Sequence, residues 1–404
     1  ILGNFSLAII LLVGTGIFFT FNLRFVQVRK FKYGLKVLMS SKSSAVGISS
    51  LTAFLLSTAM RVGPGNILGV TGAISIGGPG ALFWMWLSAF FGMATAFAES
   101  TLSQIFKEKR DDEYVGGMPF YGRKLLKDSA LAGVVLSLLY IVYAFLCFPA
   151  QGFNTISAIG AIAGTITGTT FETDSTLYLV SFAVLIISTA IISFGGIKKV
   201  TKVTDVIVPF MAVIYVVTAF LLIVFNFKLI PWFFEAVFTQ AFKPDAVFGG
   251  AFGLALSQGI KRGLMSNEAG QGTITMPAAA AHVKHPCEQG CVQAIGVFLD
   301  TIVVCTLTGF VVILGRMWLS NDAQAWFELG KLEKFLTSCG ALTGNSGLYT
   351  PVTLAVSVCF GLFAYTCLLG FMSFTEMCAN RISSSHAFIT IIRILCLVVI
   401  SFGV

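Results

Sequence analysis

Long apolar runs separated by short polar stretches dominate the chain, and each is close to the ~20 residues a helix needs to cross ~30 Å of hydrocarbon. Ten such runs lie at 1–23, 45–76, 81–106, 131–164, 177–197, 204–226, 246–272, 291–315, 350–378 and 388–404. The pattern predicts an all-α, multi-pass membrane protein in which lipid is the outer solvent. One stretch of the second run, Ser57 to Gly69 (STAMRVGPGNILG), conflicts with an unbroken helix. Pro64 removes a backbone donor, and Gly63 and Gly65 open backbone angles closed to other residues, so the chain is expected to unwind between Val62 and Asn66. Lipid cannot hydrate bare backbone; such a break persists only where it is buried in protein or lines a solvated cavity. A binding site is therefore expected there, with a packed proline kink as the bland alternative. The N–H groups and positive dipole end of the helix restarting near Asn66 suit a carboxylate or phosphate.

If the runs alternate across the bilayer, one side takes the loops 24–44, 107–130, 198–203, 273–290 and 379–387, together with Lys261 and Arg262. That side carries 19 Lys and Arg against 5 on the other. The positive-inside rule assigns it to the cytoplasm and leaves the amino end outside. The +8 net charge is thus topological and implies no nucleic-acid partner. The first 23 residues lack a basic leader and are long enough to span, which argues against a cleaved signal peptide. In this orientation the second run heads outward and the seventh inward. The seventh is also glycine-rich, with Gly249, Gly250 and Gly253 ahead of Ser257-Gln258-Gly259. Two interrupted spans of opposite direction, five apart, predict an inverted repeat with its site near the midplane. The whole chain, 1–404, then forms one transmembrane domain: 1–44 a first helix and basic loop, 45–226 one five-helix unit, 246–404 a second, incomplete one. The arithmetic predicts an eleventh helix beyond this sequence, and both ends, Ile1 and Val404, read as trimmed.

Composition narrows the class. The 404 residues are 56% hydrophobic and 11% charged, with mean hydropathy +0.89, which excludes an ordinary soluble domain. Nine cysteines fall mostly in apolar runs (Cys147, Cys305, Cys359, Cys396) and read as buried thiols rather than disulfides. His282, His285, Cys287 and Cys291 have spacings unlike structural zinc motifs and are interrupted by Pro286. Gly77-Gly78-Pro79-Gly80 lacks the Lys-Ser/Thr of a phosphate loop and reads as a tight turn. No H-E-x-x-H or G-x-S-x-G motif points to an enzyme. A channel would also use broken helices, but an inverted repeat with an intramembrane acid favours a carrier.

The stretches RVGPGNILGV (61–70), GGPGALFWMW (77–86), FGMATAFAE (91–99), KRGLMSNEAGQG (261–272), AAAAHVKHPCEQG (278–290) and GVFLDTIVVCT (296–306) resemble, in order and spacing, the alanine/glycine:cation symporters, also called sodium:alanine symporters. The resemblance implies a LeuT-type fold, one helix ahead of the inverted repeat, and uptake of alanine or glycine with sodium. It implies no cofactor beyond the coupling ion. Where that family usually carries Thr or Ser, Thr, and Trp, this chain has Pro64, Cys367 and Phe371. A proton is the alternative coupling ion.

A zwitterion needs donors for its carboxylate, acceptors for its ammonium and a wall for its side chain. Backbone N–H groups around Gly63, Gly65 and Asn66 are the expected carboxylate anchor. Gln151 and Asn154 in the fourth span, and Ser257 and Gln258 from the second interruption, are the expected polar contacts, with Phe252 as wall. Interhelical glue is the competing role for Gln151 and Asn154. Charge within a bilayer is costly, about 2.5–3.5 kcal/mol on insertion scales, and marks function or pairing. Arg61, Glu99, Glu268 and Asp300 are so placed. Asp300 and Thr301, with Thr366 and the carbonyl freed at Val62, are the expected sodium ligands; a structural ion pair is the alternative for Asp300. Arg61 and Glu268 are expected to form an ion-paired gate, against the alternative that Arg61 snorkels or pairs with Glu99.

Overall fold

The computed structural model describes residues 7–40, 47–110, 113–169, 171, 175–243, 251–320, 323–344 and 347–403. After α1 (Leu7–Asn22), two short helices, α2 (Val26–Arg29) and α3 (Phe31–Met39), precede the second run. That run is broken as expected: α4 (Ser50–Arg61) ends, a π-helical turn covers Gly65–Gly69, and α5 (Val70–Gly77) continues from it. Gly78, at φ 72°, turns the chain into α6 (Ala81–Ile105), so Gly77–Gly80 is the tight turn expected. Then follow α7 (Met118–Leu125), α8 (Ala130–Thr167), α9 (Thr176–Ser193), α10 (Gly196–Phe225) and α11 (Ile230–Ala241). The second half holds α12 (Ala251–Asn267), α13 (Thr275–Ala280), α14 (Pro286–Val297), α15 (Thr306–Leu314), α16 (Ala323–Glu328), α17 (Lys331–Thr343), α18 (Tyr349–Ile382) and α19 (His386–Ile400). A π-helical stretch, Phe298–Cys305, joins α14 to α15. Among the described residues the only sheet is a two-stranded hairpin, Glu108–Arg110 with Glu113–Val115.

Seven of these segments are long and apolar enough to cross a membrane, and α1 and Gly65–Gly77 are shorter apolar helices. The burial pattern is that of a protein in lipid. Leu179, Val180, Val184, Ile187 and Ile191 leave one apolar stripe of α9 exposed, and Val206, Phe210, Val213, Val217 and Phe220 do the same on α10. Asn66, Asp300 and Thr301, by contrast, are fully buried. Apolar residues at 3.6-residue spacing on the outside, with polar groups within, are stable only against hydrocarbon.

The two broken spans lie side by side, antiparallel. α4 packs on α13, and α5 packs on α12, so the interruptions fall at the same level. On the basic-loop face the paired ends are tied by backbone: Ile48 N–H donates to the Ala280 carbonyl (3.0 Å) and His282 N–H to the Ile48 carbonyl (2.8 Å).

The second interruption is not where the sequence put it. α12 runs unbroken through Ser257, Gln258 and Gly259. A Cβ at Gly259 would strike the Ala81 carbonyl and Trp84, and one at Gly263 would strike Ser88 and Met85. These glycines therefore let α12 pack closely on α6, as small residues do between membrane helices. The chain unwinds farther on, between α12 and α13, where Glu268, Gly270 and Gly272 take φ of 55°, 80° and 82°. Gly249 and Gly250, also read as part of the interruption, lie outside the described residues. Arg262 must also change sides. Its Cδ lies near Gly69 at the start of the half-span paired with α12, away from the basic loops. Removing Lys261 and Arg262 from the basic face leaves that face's excess intact.

Candidate functional site

The first break is organised by Asn66. After α4 ends, the Gly63 N–H donates both to the Arg61 carbonyl (2.9 Å) and to Asn66 Oδ1 (2.9 Å). The Asn66 N–H donates to the Gly63 carbonyl (3.0 Å). Two of the three N–H groups expected to hold a carboxylate, those of Gly63 and Asn66, are thus occupied by the turn itself. Gly65, the third of them, is exposed within a mostly buried segment. A Cβ there would meet nothing within 4 Å. No described donor reaches the Val62 carbonyl, which ψ 81° turns away from the helix axis.

The Asn66 amide reaches across to the eighth span. Nδ2 donates to Asp300 Oδ1 (2.7 Å) and to Ser266 Oγ (3.2 Å), and it has two hydrogens for those two bonds. Ser266 Oγ in turn donates to Asp300 Oδ2 (2.8 Å), as does Thr301 Oγ1 (2.7 Å). Asp300 and Thr301 sit on the π-helical stretch, whose extra residue per turn re-aims side chains and often occurs at functional sites. The carboxylate is held by three neutral donors; among the described residues no cationic side chain lies within 4.0 Å of it. Ser266, at the end of α12, was not singled out from sequence. Its signal was the SNEAGQG stretch, read for its charge rather than its hydroxyl.

At the second break Glu99 of α6 does the holding. Its Oε1 accepts the Gly270 N–H (2.8 Å) and its Oε2 the Gly272 N–H (3.2 Å). A carboxylate thereby satisfies two donors that unwinding had orphaned. Glu268 accepts from Thr273 Oγ1 (2.7 Å) and adopts a left-handed backbone, which costs a non-glycine residue about 1–2 kcal/mol.

The expected ion pair between Arg61 and Glu268 is not formed, nor is one between Arg61 and Glu99. Arg61 Nη2 instead donates to Gln293 Oε1 of α14 (2.9 Å), while Nε and Nη1 are buried without a hydrogen-bond partner. Gly296 makes room for the guanidinium against α14, so packing rather than charge fixes its direction. The acids whose field it feels are Asp300, Glu268 and Glu99. Four buried ionisable groups around the breaks thus comprise three carboxylic acids and one base.

The wall beside the first break comes from α8 and α18. Cys367 Sγ donates to the Met60 carbonyl (3.4 Å) and faces Gly63. Cys147 is half-buried on α8 and packs against the apolar cluster that includes Cys367 and Phe371. The Phe371 ring packs on Tyr143 and Phe148, 5.9 Å from each. Gln151 is one turn beyond Cys147, and its Oε1 is buried with no donor; Gln258 Oε1 is in the same condition. Asn154 is half-buried one turn farther along α8. Other expected members are separate. Thr366 bonds to the Leu362 carbonyl (2.9 Å) and contacts Met211 of α10, so it does not join the Asp300 cluster. Ser257 is buried and donates to the Leu254 carbonyl (3.3 Å) of its own helix. Phe252 begins α12, but its side chain lies outside the described residues. A cavity of about 90 Å³ lined by Gly47, Ile48, Tyr114, Lys198 and Met377 opens at the basic-loop end, and it includes no residue of either break.

A sequence profile described as the sodium:alanine symporter family matches residues 2–404. The chain is 38% identical over 370 residues to the putative sodium/proton-dependent alanine carrier protein YrbD of Bacillus subtilis strain 168, covering 91% of this chain and 74% of that protein. It is 37% identical over 375 residues to the sodium/alanine symporter AgcS of Methanococcus maripaludis, covering 92% and 79%. To the probable sodium/glutamine symporter GlnT of Bacillus subtilis it is 36% identical over 401 residues, covering 98% and 79%. In three dimensions it is similar to MhsT, solved in complex with L-phenylalanine, with a TM-score of 0.58 at 17% identity over 88% of this chain and 80% of MhsT. MhsT is a LeuT-type transporter, and that likeness gives the fold.

Proposed function

Because the chain belongs to the sodium:alanine symporter family, we propose that it is a secondary carrier importing a small neutral amino acid, alanine or glycine, together with sodium. The observation that carries the reading is the buried hydrogen-bonded link from the first break, through Asn66, to an Asp300 carboxylate with no cationic partner in contact. Sodium is an oxygen-seeking cation, and Asp300, Thr301 and the unused Val62 carbonyl offer oxygens beside the break. The substrate carboxylate is received by the Gly65 N–H, its polar groups by Gln151, Asn154 and Gln258, and its side chain is limited by Phe252 and by the wall of Cys147, Cys367 and Phe371. Arg61 and Glu268 act at the inner mouth through their field rather than as a contact pair. The five-helix units 45–226 and 246–404 form the inverted repeat, which the antiparallel pairing of the broken spans supports. The basic loops face the cytoplasm of a cell membrane, by the charge bias.

A proton in place of sodium is a second reading, favoured by an Asp300 held only by neutral donors and by relatives named for both ions. Reconstituted protein in liposomes decides between them. Saturable alanine uptake driven by an inward sodium gradient is the expected result. Uptake driven by a proton gradient without sodium would replace the coupling ion, and no saturable uptake of any small amino acid would overturn the carrier reading.

A further inference from the structure

Beyond the first break, Gly69, the last residue of the π-helical turn, and Gly72 of α5 lie one turn apart on one face. Two cations from different elements rest on that face. A Cβ at Gly69 would lie 3.9 Å from Arg262 Cδ, and one at Gly72 would lie 3.4 Å from Lys331 Cε and 4.0 Å from its Nζ. Three residues of helix separate the two glycines by ~4.5 Å, so the side chains sit on adjacent turns. Arg262 comes from α12 and Lys331 from the first position of α17. Lys334, one turn along α17, is almost wholly buried against Trp326, 5.8 Å from its ring.

Among the described residues no acid balances this cluster. Among the described residues neither Arg262 nor Lys331 has a carboxylate within 4.0 Å. The nearby acids are otherwise engaged: Glu333 accepts the Gly330 N–H (2.9 Å), and Glu328 accepts from Gln324 (3.2 Å). Arg262 Nε is shut off from solvent with no acceptor, and its Nη1 donates to Met265 Sδ at 4.0 Å. Burial, and after it the charges of Arg262 and Lys334, hold the Lys331 ammonium below the usual lysine range. Like charges gathered beside one another repel, and a small anion between them turns that repulsion into attraction.

We propose that Arg262 and Lys331 form an anion-binding site above the first break, on the face opposite the basic loops, that takes one small monovalent anion. Two sources share that chemistry: the carboxylate of an amino acid approaching Gly65, or a free halide. Only the first rests on the carrier reading. The guanidinium supplies directed donors, its Nε among them, and the ammonium supplies a mobile one.

The site is tested on purified protein by thermal unfolding, with sodium bromide or sodium acetate titrated at constant ionic strength against sodium isethionate, whose anion is bulky. A saturable rise in melting temperature with bromide and acetate is expected, lost in Arg262→Gln/Lys331→Gln and reduced in Lys331→Gln, a change at an exposed position that keeps the fold. No saturable rise in the parent protein, or the same rise in the variants, would overturn the proposal. Alanine uptake then separates the sources. A KM raised at least fivefold in Lys331→Gln, with bromide competing against alanine in the parent, identifies the carboxylate; binding of bromide without either effect identifies a free halide. Because unfolding needs no transport, a protein that carried no amino acid could still pass or fail the first test.

Discussion

Replacing Asp300 by Asn keeps the size of the side chain and removes its charge. In the parent, Oδ1 accepts from Asn66 (2.7 Å) and Oδ2 from Ser266 (2.8 Å) and Thr301 (2.7 Å). An Asn amide retains one acceptor for Asn66, and the two hydroxyls can rotate to accept from its NH₂, so the packing survives. What is lost is the field. A monovalent cation about 4 Å from the carboxylate gains roughly 4 kcal/mol at an effective dielectric near 20. At 1.4 kcal/mol per decade, that places the rise in half-saturating sodium at roughly 100- to 1,000-fold. The assay is alanine uptake into proteoliposomes across a sodium titration, paired with alanine affinity at the highest sodium reached. Sodium dependence should weaken far more than alanine affinity. A sodium titration unchanged in Asp300→Asn, or an alanine affinity falling just as far, would refute the placement of the cation beside this residue.

Gln151→Ala and Gln258→Ala should each raise the half-saturating alanine concentration about fivefold, the worth of one neutral hydrogen bond near 1 kcal/mol; unchanged uptake in both would remove these amides from the site. Glu99→Gln leaves one oxygen for two N–H groups, so the Gly270 or Gly272 donor is orphaned at about 1–3 kcal/mol. A clear drop in melting temperature is expected, and an unchanged one would show the second break to be held elsewhere. Since Arg61 bonds to Gln293 and not to Glu268, the exchange Arg61→Glu with Glu268→Arg should fail to restore the uptake lost in either single variant; full recovery would mean that the two meet as a pair during transport. On the basic face, Lys107 Nζ donates to the Ala281 carbonyl (2.7 Å), and burial holds the ammonium down at about 8 rather than 10.5. Opening that face into water restores the ordinary value, so opening takes up a proton between those limits; it is favoured as pH falls from 10.5 to 8 and is insensitive below. A fluorophore on His282→Cys should report more opening at the lower limit, and a reversed trend would contradict the linkage.

Much of the architecture is written locally. Seven of the ten apolar runs become described helices long and apolar enough to span, because the transfer of ~20 apolar residues into hydrocarbon is decided by the residues themselves. The first break is equally local, since Pro64 and its flanking glycines cannot maintain a helical ladder whatever surrounds them. Asp300 was legible for the same kind of reason: a carboxyl among FLDTIVVC is expensive in any fold.

The rest depended on neighbours. Glycine in a helix means either a bend or a close approach, and only α6 lying against Gly259 and Gly263 shows that those two serve approach, while Gly270 and Gly272 serve the bend. Arg61 takes Gln293 rather than an acid because Gly296 opens a slot for the guanidinium on α14, a fact about another helix. Arg262, counted with the basic loops from its place in the chain, rests instead beside Lys331 over α5. Sequence alone fixed which segments enter lipid and where one of them must unwind, because those free energies are summed residue by residue along the chain. The tertiary structure decided which polar groups meet, because that is set by distances between helices far apart in sequence.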